Sequence, residues 1–515
     1  MDFSYYNSNN EEIKLDITAG AKWNSLNVQN KQLNSIFYAI DDGDREVSSD
    51  ELTFLEKLFH LVDGIANVTK KNNVLENEEL AELLKNLEGR EKPFSRSDIK
   101  SLLNINQTLF EAIFPNIVDF KSISNIEYDS YSDEVVIYDV KDNNQLNKKK
   151  EIVINNKLNI VQELCKNDSE DDVFNSNVFS ENLIYFDEKG NIIKTVISER
   201  NPKTQWLNVN SSDDSLKQTQ KEENGIIMTE RHLTSPEGVK TDFSSKENEQ
   251  FKNSDFTITD ANGNILINIH QTFEHIADNK FISSICATSN KKDTQTYEIE
   301  YTNDEIIISH DNNKTTINMN KIFSDNISKE KILPLIKKMP GHLLLLLDKI
   351  PTVFKYIEDE ERNGHINLGV DGNRHEITLG NFESSTNEID AMYSTLIHEL
   401  GHLLDMYENN DYSGSFSHHN HTMDIAKKEA ESFFAKTTIS QQDYLFYFVY
   451  KQDNGIIKVG HRYAGEQLAE DNAILYSTNG PDFTTMRQLY LLCYFPNTAA
   501  ENIKNLLLAQ GVKVN

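Results

Sequence analysis

The sequence predicts a multidomain α+β protein: a helical module over residues 1–115, an antiparallel β-rich domain over 116–325 and a mainly helical domain over 326–515. Three observations carry this expectation. At 515 residues the chain exceeds what one hydrophobic core organises. Apolar residues in the first and last segments recur at three and four, the period of a helix. Between them the period falls to two, and Asn-Gly and Gly-Asn pairs punctuate short runs, as in strands joined by tight turns.

In the first segment, Leu33, Ile36 and Phe37, then Leu52, Leu55, Phe59 and Val62, keep the helical spacing. Between these two groups lies IDDGDREVSSDE, residues 40–51. Counted from Ile40, this loop places Asp42, Asp44, Ser48 and Glu51 at positions 3, 5, 9 and 12, where an EF-hand carries its oxygen ligands, and Val47 at the apolar position 8. Ile40 and Arg45 replace the usual ligand at position 1 and glycine at position 6. The segment resembles a degenerate, structural EF-hand-like module. A second helix–loop–helix around NVTKKNNVLENEEL would place Glu79 twelfth. Calcium binding by Asp42, Asp44, Ser48 and Glu51 is the alternative expectation, and an unrelated helical hairpin the plainer one.

The central segment contains EVVIYDV, NLIYFDEKGNIIKTVI, NGIIMTE, FTITDANGNILINIH and YEIEYTNDEIIISH. Their alternation predicts a meander, with Gly190, Gly225 and Gly263 in the turns and residues 211–224 as a polar loop. No constellation of catalytic residues stands out there, so it reads as a spacer or interaction domain.

After residue 326 helical signals return, broken by Pro334, Pro340 and Pro351. HINLGVDGNRHEITLGNF reads as a hairpin with Asp371-Gly372 in its turn, and the following helix contains STLIHELGHLLD. His398 and His402, four residues apart, share a helical face and can meet at one centre. Glu399 sits about 100° round the helix, beside that centre without ligating it, as a general base requires. Met392, Leu396, Leu400, Leu403 and Leu404 supply an apolar face, and Gly401 leaves room for a close backbone approach. HExxH is the zinc peptidase signature: two imidazoles bind Zn²⁺ and the glutamate takes a proton from water. A buried structural helix that happens to carry two histidines is the plainer reading.

The third ligand separates subclasses. A three-histidine site would need Gly at 405 and His at 408, which are Asp405 and Glu408. Two later carboxylates remain, Glu431 in KEAESFFAK and Glu466 in RYAGEQLAED. Glu466 is favoured because Glu470 follows one turn later on the same face, where it can accept the second N–H of a ligating histidine. Glu431 has Ala435 at that offset. His418, His419 and His421, in a loop rich in Ser, Gly and Asn, read as a solvated tract.

Together, IHELGHLLD, GEQLAED and the following PDFTTMRQLYLL resemble the catalytic domain of the anthrax lethal factor-like (ATLF-like) zinc metallopeptidases, over roughly residues 330–500. The resemblance implies that the last segment is a zincin domain of the gluzincin type. It implies one Zn²⁺ per chain on His398, His402 and Glu466, with Glu399 as general base and Glu470 behind a ligating histidine. The family's tyrosine upstream of the ligand glutamate would be Tyr463, with Tyr447 and Tyr450 as alternatives. The strand from His375 to Gly380 would line the cleft and pair with extended substrate backbone.

Composition bounds the remaining choices. A net charge of −31 argues against a nucleic-acid-binding surface. Cys165, Cys286 and Cys493 lack the spacing of a disulfide framework or a CxxC site. The acidic start MDFSYYNSNNEEIKLD has no signal-peptide pattern, and the apolar run Leu343–Leu347 is far shorter than a membrane span. The expectation is a soluble zinc endopeptidase acting on protein or peptide substrates, secreted by a non-classical route or delivered as a toxin or effector. The competing readings are a metallopeptidase-fold binding protein without catalysis and a calcium-responsive interaction protein.

Overall fold

The computed structural model describes residues 2–6, 12–17, 19–22, 46–49, 51–53 and 74–75 of the first 95. Beyond them it describes 96–514, apart from 115–116, 119–122, 124, 142–147, 168–177, 202–205, 359–363, 372–373, 381–387, 408–419, 439–440, 443–444, 446–447, 452–455, 459–460 and 477–481. The chain divides into two compact units, Met1–Ser198 and Glu199–Asn515.

The expected fold class is overturned. Strand takes 42% of the described residues and helix 33%, and the dominant element is a sixteen-stranded antiparallel ladder. The described start of the chain is not a helical module. It holds β1 (Asp2–Tyr6) paired antiparallel with β2 (Glu12–Asp16), and β3 (Val74–Leu75) parallel to β1. DFSYY and EIKLD alternate over only five residues each, too briefly for their period to stand out beside the helical spacing of Leu33, Ile36, Phe37, Leu52, Leu55, Phe59 and Val62, of which all but Leu52 lie outside the described residues, as does Glu79. Nor is the last segment a separate helical domain. Its helices share one compact unit with ten ladder strands and with a further mixed sheet.

In the first unit, α1 (Arg96–Leu103) and α2 (Gln107–Ile113) precede strands β4–β8 and most of β9 (Ile192–Arg200). Asn106 caps α2 by accepting from the Leu109 N–H at 2.8 Å, and its own N–H donates to Asn156 Oδ1 at 2.9 Å. The outer strand β4 (Asn125–Asp129) is covered by α1, whose buried Asp98 accepts the Ile126 N–H at 3.0 Å. An edge N–H left without a partner invites pairing with another chain, and this contact removes one.

In the second unit, β10–β19 form a meander from residue 207 to 318, successive strands paired in chain order. Asn224 and Gly225, with φ of 55° and 74°, make the two-residue turn that matches strand twist. A longer turn starts at Asp260 and, in the first unit, at Asp187, each carboxylate accepting from the backbone N–H groups two and four residues on. Residues 211–224, expected as a loop, include β11 (Leu216–Glu223). Its sequence LKQTQKEE hides the strand because the inward positions Gln218 and Gln220 are polar yet buried. Gln218 is held inside by its bond to Arg231 at 2.7 Å.

After the ladder come α3 (Met319–Ile322), α4 (Asn326–Ile336), α5 (Gly341–Leu344) and α6 (Leu346–Lys349). Helix α5 sits directly on the ladder. A Cβ at Gly341 would lie 2.3 Å from Tyr297 Cβ, and the Gly341 N–H donates to Ser283 Oγ at 2.8 Å. The mixed sheet follows: β20 (Thr352–Tyr356) runs parallel to β22 (Arg374–Leu379), and β21 (Gly364–Asp371) pairs with β22 antiparallel. The long helices are α7 (Glu388–Tyr407), α8 (Asn420–Lys436), α9 (His461–Tyr476), α10 (Asp482–Tyr494) and α11 (Pro496–Ala509). Glu429 on α8 caps α11 by accepting the N–H groups of Asn497 at 2.9 Å and Thr498 at 3.1 Å. No helix among the described residues is long and apolar enough to cross a membrane.

One buried carboxylate gives the first unit a pH dependence. Glu181 is 2% exposed and bonded to Gln162, and burial raises its pKa to about 7 against the hydrogen bond's lowering. A carboxyl whose folded pKa is raised contributes stability below its unfolded pKa and loses it as pH climbs from about 4.5 to about 7. The variant Glu181→Gln is expected to match the wild type near pH 4.5 and to exceed it at pH 8 by on the order of 3 kcal/mol. Denaturant unfolding of the first unit across that range checks this; a difference constant with pH contradicts it.

Candidate metal centre

Helix α7 brings His398 and His402 to one face, with ring centroids 4.8 Å apart and ring planes at 87°. Helix α9 places Glu466 opposite them. Its Oε2 lies 3.4 Å from His398 Nε2 and 3.6 Å from His402 Nε2. Charge-assisted hydrogen bonds are shorter, about 2.7–2.9 Å. Two ligand atoms each about 2.0–2.1 Å from a tetrahedral zinc are about 3.3 Å apart. The spacing therefore fits donors arranged about a common cation better than a direct ion pair. His398, His402 and Glu466 are the one group of His, Cys, Asp or Glu side chains with ligand spacing among the described residues. Two imidazoles and one carboxylate suit zinc, and three protein ligands leave a tetrahedral corner for water or substrate. Partial exposure of the three side chains, 17%, 12% and 27%, leaves solvent access.

Behind His398 stands Glu470, whose side chain is 1% exposed. Its Oε2 is 3.2 Å from His398 Nδ1 and accepts from Arg487 Nη2 at 3.1 Å, and its Oε1 accepts from Gln488 Nε2 at 2.9 Å. The two ring nitrogens of His398 thus face different carboxylates, Nδ1 toward Glu470 and Nε2 toward Glu466. Burial works against the charged form of His398, but without a metal Glu466 and Glu470 outweigh it and raise its pKa to about 10, so a cation held at Nε2 would take the place of a proton. Burial likewise opposes the charge on Glu470, and Arg487, His398 and Gln488 reverse this, lowering its pKa to about 2. Glu466, against its own burial, is held well below the usual carboxylate range by the two histidines.

Gly401 makes the meeting of the two helices possible. A Cβ there would lie 2.6 Å from Ala469 Cα and 3.1 Å from Asn472 Cβ. Glycine lets α7 and α9 touch backbone to backbone, which sets Glu466 within reach of both histidines.

The other singled-out residues are placed as follows. Glu399 is buried on α7, 7% exposed, next to His398. Glu431 is exposed on α8 and is not a member of the three-residue group. Tyr463 belongs to α9, one turn before Glu466, and its side chain lies outside the described residues, as do Tyr447 and the Tyr450 side chain. His418 and His419 also lie outside them, and His421 is exposed at the start of α8. Of the EF-hand-like set, Asp42 and Asp44 lie outside the described residues. Ser48 and Glu51 form a reciprocal capping box: the Ser48 N–H donates to Glu51 Oε2 at 2.7 Å and the Glu51 N–H to Ser48 Oγ at 3.1 Å. The strand expected to pair with substrate backbone needs correction. β22 is the middle strand, bonded on both sides by β20 and β21, so its backbone has no open edge to offer.

Arg487, Gln488 and Asn472 went unnoticed in the sequence. The one sign of the first two is an Arg-Gln pair within the apolar helix MRQLYLL, where a charge that turns inward needs a partner. No family model, curated protein or solved structure matches the chain.

The variant Gly401→Ala tests the crossing. Its methyl must push α9 away from α7, so a stability loss of about 1–3 kcal/mol is expected, with at least tenfold weaker zinc binding. Thermal unfolding and zinc titration check both effects; wild-type values in both contradict the role given to Gly401.

Proposed function

We propose that this protein is a zinc-dependent endopeptidase that hydrolyses peptide bonds in protein substrates. The observation that carries the proposal is the convergence of His398, His402 and Glu466, with Glu466 Oε2 3.4 Å and 3.6 Å from the two histidine Nε2 atoms and Glu399 beside them on the same helix. Further support comes from Glu470 behind His398, and from the resemblance of IHELGHLLD and GEQLAED to the lethal factor-like zinc peptidases. Zinc, when bound, polarises a carbonyl oxygen and makes water acidic enough to lose a proton near neutral pH.

The chain's own residues do the rest. Glu399 takes the proton from the attacking water and delivers it to the leaving amine nitrogen, so one carboxylate serves as base and then acid. Glu470 keeps His398 in the tautomer that presents Nε2 to the cluster, while Arg487 and Gln488 keep Glu470 ionised and aimed. Tyr463 is assigned, through the family resemblance, to the developing oxyanion.

Zinc stoichiometry and peptide cleavage on four proteins test the proposal. The wild type is expected to hold one zinc and cleave. Glu399→Gln keeps zinc and loses about 10²–10⁴-fold in rate. Glu466→Ala loses both zinc and cleavage, and Glu431→Ala loses neither. Full cleavage by Glu399→Gln would falsify the mechanism.

A further inference from the structure

Helix α9 grips the metal helix at a second point. Asn472, fully buried and two residues past Glu470, donates from Nδ2 to the carbonyl of Ile397 at 2.7 Å. Ile397 immediately precedes His398. Asn472 Oδ1 accepts from Gln510 Nε2 at 3.4 Å, and Gln510 Oε1 accepts the Tyr476 hydroxyl at 2.6 Å. The Tyr476 oxygen lies 2.9 Å from His342 Nε2. His342, Tyr476, Asn472 and Gln510 are each 3% exposed or less.

The direction of this chain is fixed from its far end. A backbone carbonyl has no proton to give, so Asn472 must turn its NH₂ toward Ile397 and its oxygen toward Gln510. Gln510 must then present its NH₂ to Asn472 and its oxygen to Tyr476. The single Tyr476 proton goes to Gln510, which leaves its oxygen to accept from His342 Nε2–H. Reversing any one amide would set donor against donor or acceptor against acceptor. His342 Nδ1 is left as a bare, buried nitrogen with no hydrogen-bond partner. Burial disfavours the charged ring and lowers its pKa to about 3, which suits this neutral tautomer.

A buried polar cluster commonly does no more than join helices. What distinguishes this one is where it ends: on the turn of α7 that carries His398, beside the Gly401 crossing. Apolar packing alone tolerates small rolls of a helix about its axis. A roll of about 20° moves an atom at the side-chain radius of about 5 Å by nearly 2 Å, whereas ligand distances must hold within about 0.2 Å.

We propose that Asn472 is a positioning residue of the metal centre: oriented by the chain from His342 through Tyr476 and Gln510, it holds the Ile397 carbonyl and sets the roll of α7 that aims His398 at Glu466. Upstream, the chain is anchored to the ladder, because Gly341, next to His342, sits on Tyr297 and bonds Ser283. The inference rests on the metal-centre reading, so the wild-type zinc stoichiometry is measured first.

Asn472→Ala and Tyr476→Phe are then compared with the wild type by zinc titration, by the visible spectrum of the cobalt-loaded protein, and by amide hydrogen exchange of α7 without metal. Asn472→Ala is expected to weaken zinc binding about 10–100-fold, to alter the cobalt spectrum and to speed exchange in α7. Tyr476→Phe, which removes one hydroxyl and opens almost no cavity, changes all three in the same direction by less; it decides alone if Asn472→Ala does not fold. A wild type that takes up no zinc overturns the metal-centre reading and this proposal with it. A wild type that binds one zinc, beside folded variants within twofold in affinity and unchanged in exchange, overturns the proposal alone.

Discussion

The backbone contact between α7 and α9 at Gly401 and Ala469 is the constraint on which the site depends. Two helices that meet through ordinary side chains lie about 8–10 Å apart, and a glutamate on one then reaches a histidine pair on the other only by luck of rotamer. Here the missing side chain at 401 removes that spacer. Glu466 and Glu470, one turn apart on α9, then flank His398 from its two ring nitrogens. Two residues past Glu470, Asn472 fastens the same stretch of α7 by its backbone. Less than two turns of one helix thus supply the carboxylate that faces both histidines, the partner of His398 and a grip on the helix that carries them.

The surroundings make that crossing stiff. Helix α11 is tied to α8 through Glu429 and to α9 through Asn502 and Asp471 at 2.7 Å, and Gln510, just past its end, bonds Asn472 and Tyr476 on α9. Helix α10 supplies Arg487 and Gln488 to Glu470. These contacts are polar and buried, so each is costly to leave half-made. An apolar core of equal volume would hold the helices together with less geometric definition. The ladder joins the same unit through α5 and by the bond from Lys252 on β14 (Phe251–Thr259) to the Tyr476 carbonyl at 3.0 Å.

What was legible in the sequence was local. His398 and His402 at i and i+4, Glu399 between them, and Glu466 with Glu470 at i+4 are each a statement about one helix, and helical periodicity makes such statements safe. Gly401 was readable as room for something to approach, although not what. Arg487, Gln488 and Asn472 were not readable, because their roles depend on which helix faces which, and no spacing along the chain encodes that. The fold class failed for related reasons. Strands β1 and β2 are too short to announce a period, and β11 hides behind buried glutamines. The hairpin of β21 and β22 shows in the residues, but strand order does not. The third strand, β20, takes the side of β22 that a substrate was expected to use.

The central claim is that two imidazoles and one carboxylate converge on one zinc. X-ray absorption of the zinc-loaded protein tests it most directly. The result expected is one zinc per chain with two imidazole nitrogens at about 2.0–2.1 Å, one carboxylate oxygen at about 2.0–2.2 Å and one further light atom in a four-coordinate shell. In Glu466→Ala the carboxylate scatterer should disappear. A sulfur scatterer, a six-coordinate shell, or a spectrum that Glu466→Ala leaves unchanged would contradict it.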